Sequence, residues 1–144
     1  MHCIGYILPE GFQVMALATQ AVFELANLVS GRTFYTVETY ALDGTVRAST
    51  GLVLQAKPLT THSSADTWLV AGTIMPLDTP PAPELIQLLG KIAARARRAA
   101  GLCTGAFLLA DAGLLDKRRA TTHWYWAEAL QQRHPQTQIE ADRI

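Results

Sequence analysis

The chain has 144 residues and a mass of 15.7 kDa, with 49% hydrophobic and 17% charged side chains and 12 basic residues against 12 acidic ones. At this mass surface scaling expects about 7,300 Å² exposed when folded against about 23,000 Å² extended, so one domain can bury a real core without disulfides. A neutral balance excludes the phosphate attraction of a stand-alone nucleic-acid-binding domain, and the apolar fraction excludes low-complexity disorder.

In chain order, Ile4 to Leu8 is a short apolar run that stops at Pro9-Glu10-Gly11, which predicts a buried strand and a turn. From Gln13 to Val29 the residues Val14, Leu17, Ala18, Ala21, Val22, Leu25 and Leu28 recur at spacings of three and four, and Ser30-Gly31 supplies a stop; one amphipathic helix is expected. Phe34 to Leu42 alternates and is rich in β-branched and aromatic residues, and Asp43-Gly44 leads into Thr45-Val46-Arg47 as in a hairpin. Gly51 to Leu54 reads as a short strand, Lys57 to Ala65 as loop, and Trp68 to Ala71 as a second buried strand closed by Gly72. The run Asp78 to Pro83 is a linker whose last proline opens a helix carrying Leu85, Ile86, Leu88, Leu89, Ile92, Ala93 and Ala96, expected to end near Ala100-Gly101. Its polar face would carry Lys91, Arg95 and Arg98, read as a solvated surface rather than an anion site. A short strand around Ala99 to Leu102, a helix from Cys103 to about Ala112, a helix from Thr122 to Arg133 and a strand begun at Thr137 to Ile144 complete the chain. Alternating strands and helices predict a mostly parallel sheet with helices on both faces. Ending on such a strand leaves the sheet uncovered on one side, so the chain reads as a single domain, 1–144, incomplete at its C-terminal end.

The chemically informative segment is Gly101-Leu102-Cys103-Thr104-Gly105, a G-x-nucleophile-x-G pattern at a strand-to-helix junction. A sharp turn there would strain the cysteine backbone, and the amides and dipole of the following helix would favour its thiolate. The same amides, joined by the backbone of Gly72-Thr73, could form an anion or oxyanion hole. The alternative is a buried thiol filling space beside a glycine-rich turn. His123, at the start of the next helix, is either structural or the partner of Cys103 in a dyad. Trp124 and Trp126 beside Tyr125 could line a pocket or form core or dimer interface.

Val14 to Val29 is interrupted by Thr19, Gln20, Glu24 and Asn27, short of the about 20 apolar residues a bilayer needs, so no membrane span is expected. Met1-His2-Cys3 offers no basic leader and no cleavage site follows, which points to the cytoplasm, where Cys3 and Cys103 would be reduced. His2, His62 and His134 lack ligand spacing and Gly101-x-x-x-Gly105 lacks a nucleotide fingerprint, so neither metal nor cofactor is expected.

The run Gly101 to Trp124, containing Cys103-Thr104-Gly105 and Thr121-Thr122-His123-Trp124, closely resembles the PfpI/ThiJ branch of the class I glutamine amidotransferase-like superfamily. Within that branch it looks most like the amino-terminal sensor domain of AraC-type transcriptional regulators. The resemblance implies a flavodoxin-like three-layer sandwich, a dimer, a small-molecule effector, in many such regulators an amine-derived metabolite, and DNA contact only through a helix-turn-helix region that this chain does not contain. Superfamily enzymes carry a carboxylate in the first helix that shares a proton with the cysteine, and aligning their Gly-Phe with Gly11-Phe12 places Ala16 there. Alanine cannot move a proton. The expectation is therefore a non-catalytic pocket of Cys103, Thr104, Gly72, Thr73, His123 and Trp124. The alternative is an isonitrile hydratase-like or amidase-like enzyme using Cys103, His123 and Glu10, and a third reading is a redox-responsive thiol at Cys103.

Overall fold

The computed structural model describes residues 1–78 and 80–143. Thr79 of the proline-rich linker and Ile144 of the last predicted strand lie outside the described residues. The order of elements is β1 (His2–Ile7), α1 (Met15–Ala18), α2 (Gln20–Ser30), β2 (Tyr35–Ala41), β3 (Thr45–Arg47), β4 (Val53–Gln55), β5 (Lys57–Pro58), β6 (Thr67–Val70), α3 (Pro83–Ala93), β7 (Arg98–Gly101), α4 (Gly105–Asp111), β8 (Arg119–Ala120), a 3-10 turn (Trp124–Trp126), α5 (Ala127–Arg133) and β9 (Gln138–Ile139).

A five-stranded sheet runs β5-β2-β1-β6-β7, and every pairing in it is parallel. The apolar run at the start of the chain becomes an inner strand because both its edges are paired, Ile4 to Val37 on one side and to Thr67 on the other. Strand alternation then divides the core between two faces. On one face Ile7, Tyr40, Trp68 and Val70 pack with Leu85, Leu88, Leu89 and Ile92 of α3 and Leu108 and Leu109 of α4. On the other, Ile4, Tyr6, Leu8 and Ala41 pack with Phe12 and Ala16. The predicted α/β layering with a parallel sheet is thus present.

Several local expectations are corrected. The single helix over 13–29 is two, because the Thr19 hydroxyl donates to the Ala16 carbonyl at 2.8 Å and competes with the helical ladder. None of the α2 residues is buried. Asp43-Gly44 does not fold β3 back on β2. Instead β3 pairs antiparallel with β4, and Lys57–Pro58, expected as loop, adds a short parallel edge strand. Helix α3 stops at Ala93, well before Gly101, so Lys91, Arg95 and Arg98 share no helix face: Arg95 donates to the Thr61 carbonyl and Arg98 opens β7. The helix predicted from Thr122 begins as a 3-10 turn and becomes α-helical at Ala127. Finally, β9 does not join the main sheet. It pairs with β8 in a separate two-stranded sheet.

Candidate functional site

Parallel strands bring β1, β6 and β7 to a common carboxyl edge, and the loops leaving them are tied to one another. Gln13 N–H donates to the Gly72 carbonyl at 2.9 Å, and Phe12 bridges Thr73. The buried Thr104 hydroxyl, 2% exposed, donates to the Thr73 carbonyl at 2.5 Å. The Thr122 hydroxyl donates to the Cys103 carbonyl at 3.0 Å, bringing the segment before the 3-10 turn to the same place.

The elbow anticipated at Cys103 is formed. Its φ is 54°, in the left-handed region that costs a non-glycine residue about 1–3 kcal/mol. Gly101 and Gly105 permit the turn by close approach: a side chain on Gly105 would strike the Val70 carbonyl oxygen, and one on Gly101 the Ala106 nitrogen. The thiol is exposed at the tip. Gly105 N–H, one of the amides offered as an oxyanion donor, is taken by the Leu102 carbonyl at 2.8 Å.

His123 and Cys103 line one niche of about 390 Å³ together with Gln13, Ile74, Met75, Thr104, Tyr125 and Trp126. The two predicted dyad members are therefore brought together as neighbours, but they are not hydrogen-bonded to each other. His123 Nδ1 instead accepts the Tyr125 N–H at 3.3 Å and caps the 3-10 turn, which assigns the neutral ring's proton to Nε2 and makes that nitrogen a donor. The ring also stacks on Trp124, with centroids 5.5 Å apart and planes 30° apart. Trp124 itself is 73% exposed and lines neither this niche nor the larger cavity beside Glu10 and Thr73. Gly72 is buried; its carbonyl accepts the Gln13 N–H, and its lack of a side chain leaves room for the Thr104 hydroxyl, which a Cβ there would strike.

Glu10 and Thr73 belong to a different space, a cavity of about 630 Å³ on the other side of the Ile74–Met75 segment. Glu10 Oε2 accepts the Arg47 N–H at 3.2 Å and is not among the groups around Cys103. Ala16, 8% exposed, packs in the core cluster with Tyr6 and Phe12. Sequence reasoning missed Ile74 and Met75, which wall both spaces; the available signal was a pair of large apolar residues in a loop leaving the carboxyl end of a strand. Among the described residues no three His, Cys, Asp or Glu side chains gather as a metal site, and no helix is long and apolar enough to cross a membrane.

An α/β sheet with a strained cysteine elbow at its carboxyl edge defines a class of protein built on the nucleophile-elbow plan. More narrowly, the chain belongs to the DJ-1/PfpI family, whose sequence pattern matches residues 14–143. It is 36% identical over 137 residues to an uncharacterized protein encoded in the cpoL 5' region of Streptomyces lividans, covering 93% of this chain and 96% of that one. It is 34% identical over 135 residues to the HTH-type transcriptional regulator GbdR of Pseudomonas aeruginosa, covering 92% of this chain but 36% of that one. The chain thus spans little more than a third of that regulator's length. A shorter similarity, 40% over 88 residues, reaches 59% of this chain and 38% of an isonitrile hydratase of Pseudomonas putida. Among solved structures, an AraC family transcriptional regulator from Pseudomonas putida superposes with a TM-score of 0.78 at 33% identity, over 97% of this chain and 76% of that one.

Proposed function

We propose that this domain is the non-catalytic effector-sensing part of an AraC-type transcriptional regulator. It would act as a homodimer in the cytoplasm and influence transcription through a separate DNA-binding domain. The niche at Cys103 would hold a small-molecule effector, with Thr104 fixing the loop wall, His123 presenting Nε2–H, and Cys103 itself as a wall rather than a nucleophile. The same fold can then bias a distant site only if the effector prefers one of two arrangements of the regulator.

The observation that carries this reading is Ala16. It is buried in the core at the position where the resemblance puts the proton-sharing carboxylate of the enzymes. The supporting likeness to GbdR extends over 92% of the chain, against 59% for the isonitrile hydratase. The test is to incubate the purified protein with alkyl isonitriles and primary amides beside a Cys103→Ser variant. Equal, background product formation is expected from both. Turnover present in the parent and lost in the variant would replace the sensing reading with the enzymatic one.

A further inference from the structure

The niche beside Cys103 has a polarity that bears on what it can hold. None of its eight lining residues is Asp, Glu, Lys or Arg. Its volume of about 390 Å³ lies within the roughly 300–1,000 Å³ of small-molecule sites, and Ile74, Met75 and Trp126 give it apolar walls.

Two groups in that lining keep hydrogen-bonding capacity that the protein does not use. The Gln13 backbone N–H is taken by the Gly72 carbonyl, but its side-chain carboxamide has no hydrogen-bond partner among the described residues. That carboxamide is not sealed in the core either, where the unpartnered side-chain atoms are Gln20 Nε2 and Trp68 Nε1. His123 is held through Nδ1, which accepts the Tyr125 N–H, so Nε2–H is the free donor of its ring. The niche thus offers one group that both donates and accepts and a second that donates.

Charged ligands fit this lining poorly. A carboxylate would find no cationic side chain and an ammonium no carboxylate, so either would give up water without a counter-charge. Aromatic faces can substitute for a carboxylate toward a cation. Here Tyr125 and Trp126 pack edge to face, with centroids 5.0 Å apart and planes at 83°, and so present no pair of parallel faces to enclose one. A neutral amide loses least, because its carbonyl and N–H are the complement of a carboxamide side chain.

From this lining we infer that the niche selects an uncharged ligand, a small molecule with an apolar body and an amide edge on which a carbonyl and an N–H stand side by side. The amide edge would pair with the Gln13 carboxamide, the ligand carbonyl would also take the His123 Nε2–H, and the body would lie on Ile74, Met75 and Trp126. The inference rests on reading this niche as the effector site and adds the ligand's chemical class. Gln13 becomes the residue that sets specificity by charge.

Three probes of one shape and different charge test it: propionamide, propionate and propionamidinium. Each is titrated into the protein while backbone amide resonances are followed. Propionamide is expected to move the amides of Gln13, Ile74, Thr104 and Tyr125 and to bind about fivefold more tightly than either ion. Gln13→Glu changes the charge of the side chain and hardly its shape, and should reverse the order, with propionamidinium about fivefold tighter than propionamide. The Gln13 side chain ties nothing in the fold, and the same spectra verify that the variant is folded. The inference is overturned if propionate or propionamidinium binds the parent as tightly as propionamide, if Gln13→Glu leaves the order unchanged, or if about 100 mM propionamide moves none of the four amides. Any of these results leaves the sensing reading to its own turnover test. Propionamide binding accompanied by Cys103-dependent release of ammonia would keep the ligand class and remove the sensing reading.

Discussion

Cys103 is held at φ 54° by a turn in which Thr104 is pinned to Thr73 and Gly105 to Leu102. A single residue thus stores strain that the rest of the edge supports. Replacing it with glycine should remove the steric cost and leave the fold as stable or more so, even after the entropy that glycine adds to the unfolded chain. Cys103→Val should lose about 1–2 kcal/mol, because a β-branched side chain tolerates this region least. Urea unfolding of the two variants checks the order: glycine at or above the parent, valine below. The elbow was legible in sequence because the spacing of Gly101, Cys103 and Gly105 has a steric meaning. The His123 cap was not, since it depends on a 3-10 turn replacing the first helical turn, and no local pattern separates the two.

At the scale of elements, the inner strands could be read because they are continuous apolar runs, and α3 because a proline opens it. What the sequence concealed was pairing. Thr45–Arg47 seeks Val53–Gln55 rather than the strand before it, and Lys57–Pro58 joins an edge whose partner is β2. Amphipathic spacing also misled: Val22, Leu25, Leu28 and Val29 of α2 are 57% to 85% exposed, so periodicity there defines an apolar face without a core to receive it. The β2–β5 edge is instead tied by polar contacts. Lys57 Nζ and the Tyr40 hydroxyl each reach Glu38 at 2.5 Å, and these bonds, that of Lys57 foremost, hold the Glu38 carboxyl below its ordinary value of 4.5. A depressed carboxyl stabilises the fold above that ordinary value and loses its contribution as pH falls through the folded one. Lys57→Met should therefore be less stable than the parent by under about 1 kcal/mol at neutral pH, the pair being partly exposed. The difference should vanish as the solution is acidified below 4.5, and a constant difference across pH would show that the lysine acts through packing alone.

For the whole molecule, 8412 Å² is exposed where size alone expects about 7,300 Å². Part of the surplus is the α2 face, and part is Ile74, Met75 and Leu77, the apolar rim beside both cavities. The larger cavity was invisible in sequence because its wall is drawn from five separate segments, within 8–11, 41–48, 73–76, 80–85 and 107–111, that only the parallel sheet brings to one edge. Residues singled out for one pocket are distributed between two spaces, with Cys103, Thr104 and His123 on one side of the Ile74–Met75 wall and Glu10 and Thr73 on the other. That separation supports the proposed non-catalytic reading, as Glu10, the carboxylate nearest the chain's first turn, is not in the thiol's niche. The most direct measurement is the intact mass of the protein quenched during incubation with an excess of alkyl isonitrile or primary amide. An unmodified mass, with Cys103 still open to alkylation, is the predicted result; an adduct mapped to Cys103 that forms and decays as product accumulates would contradict the account.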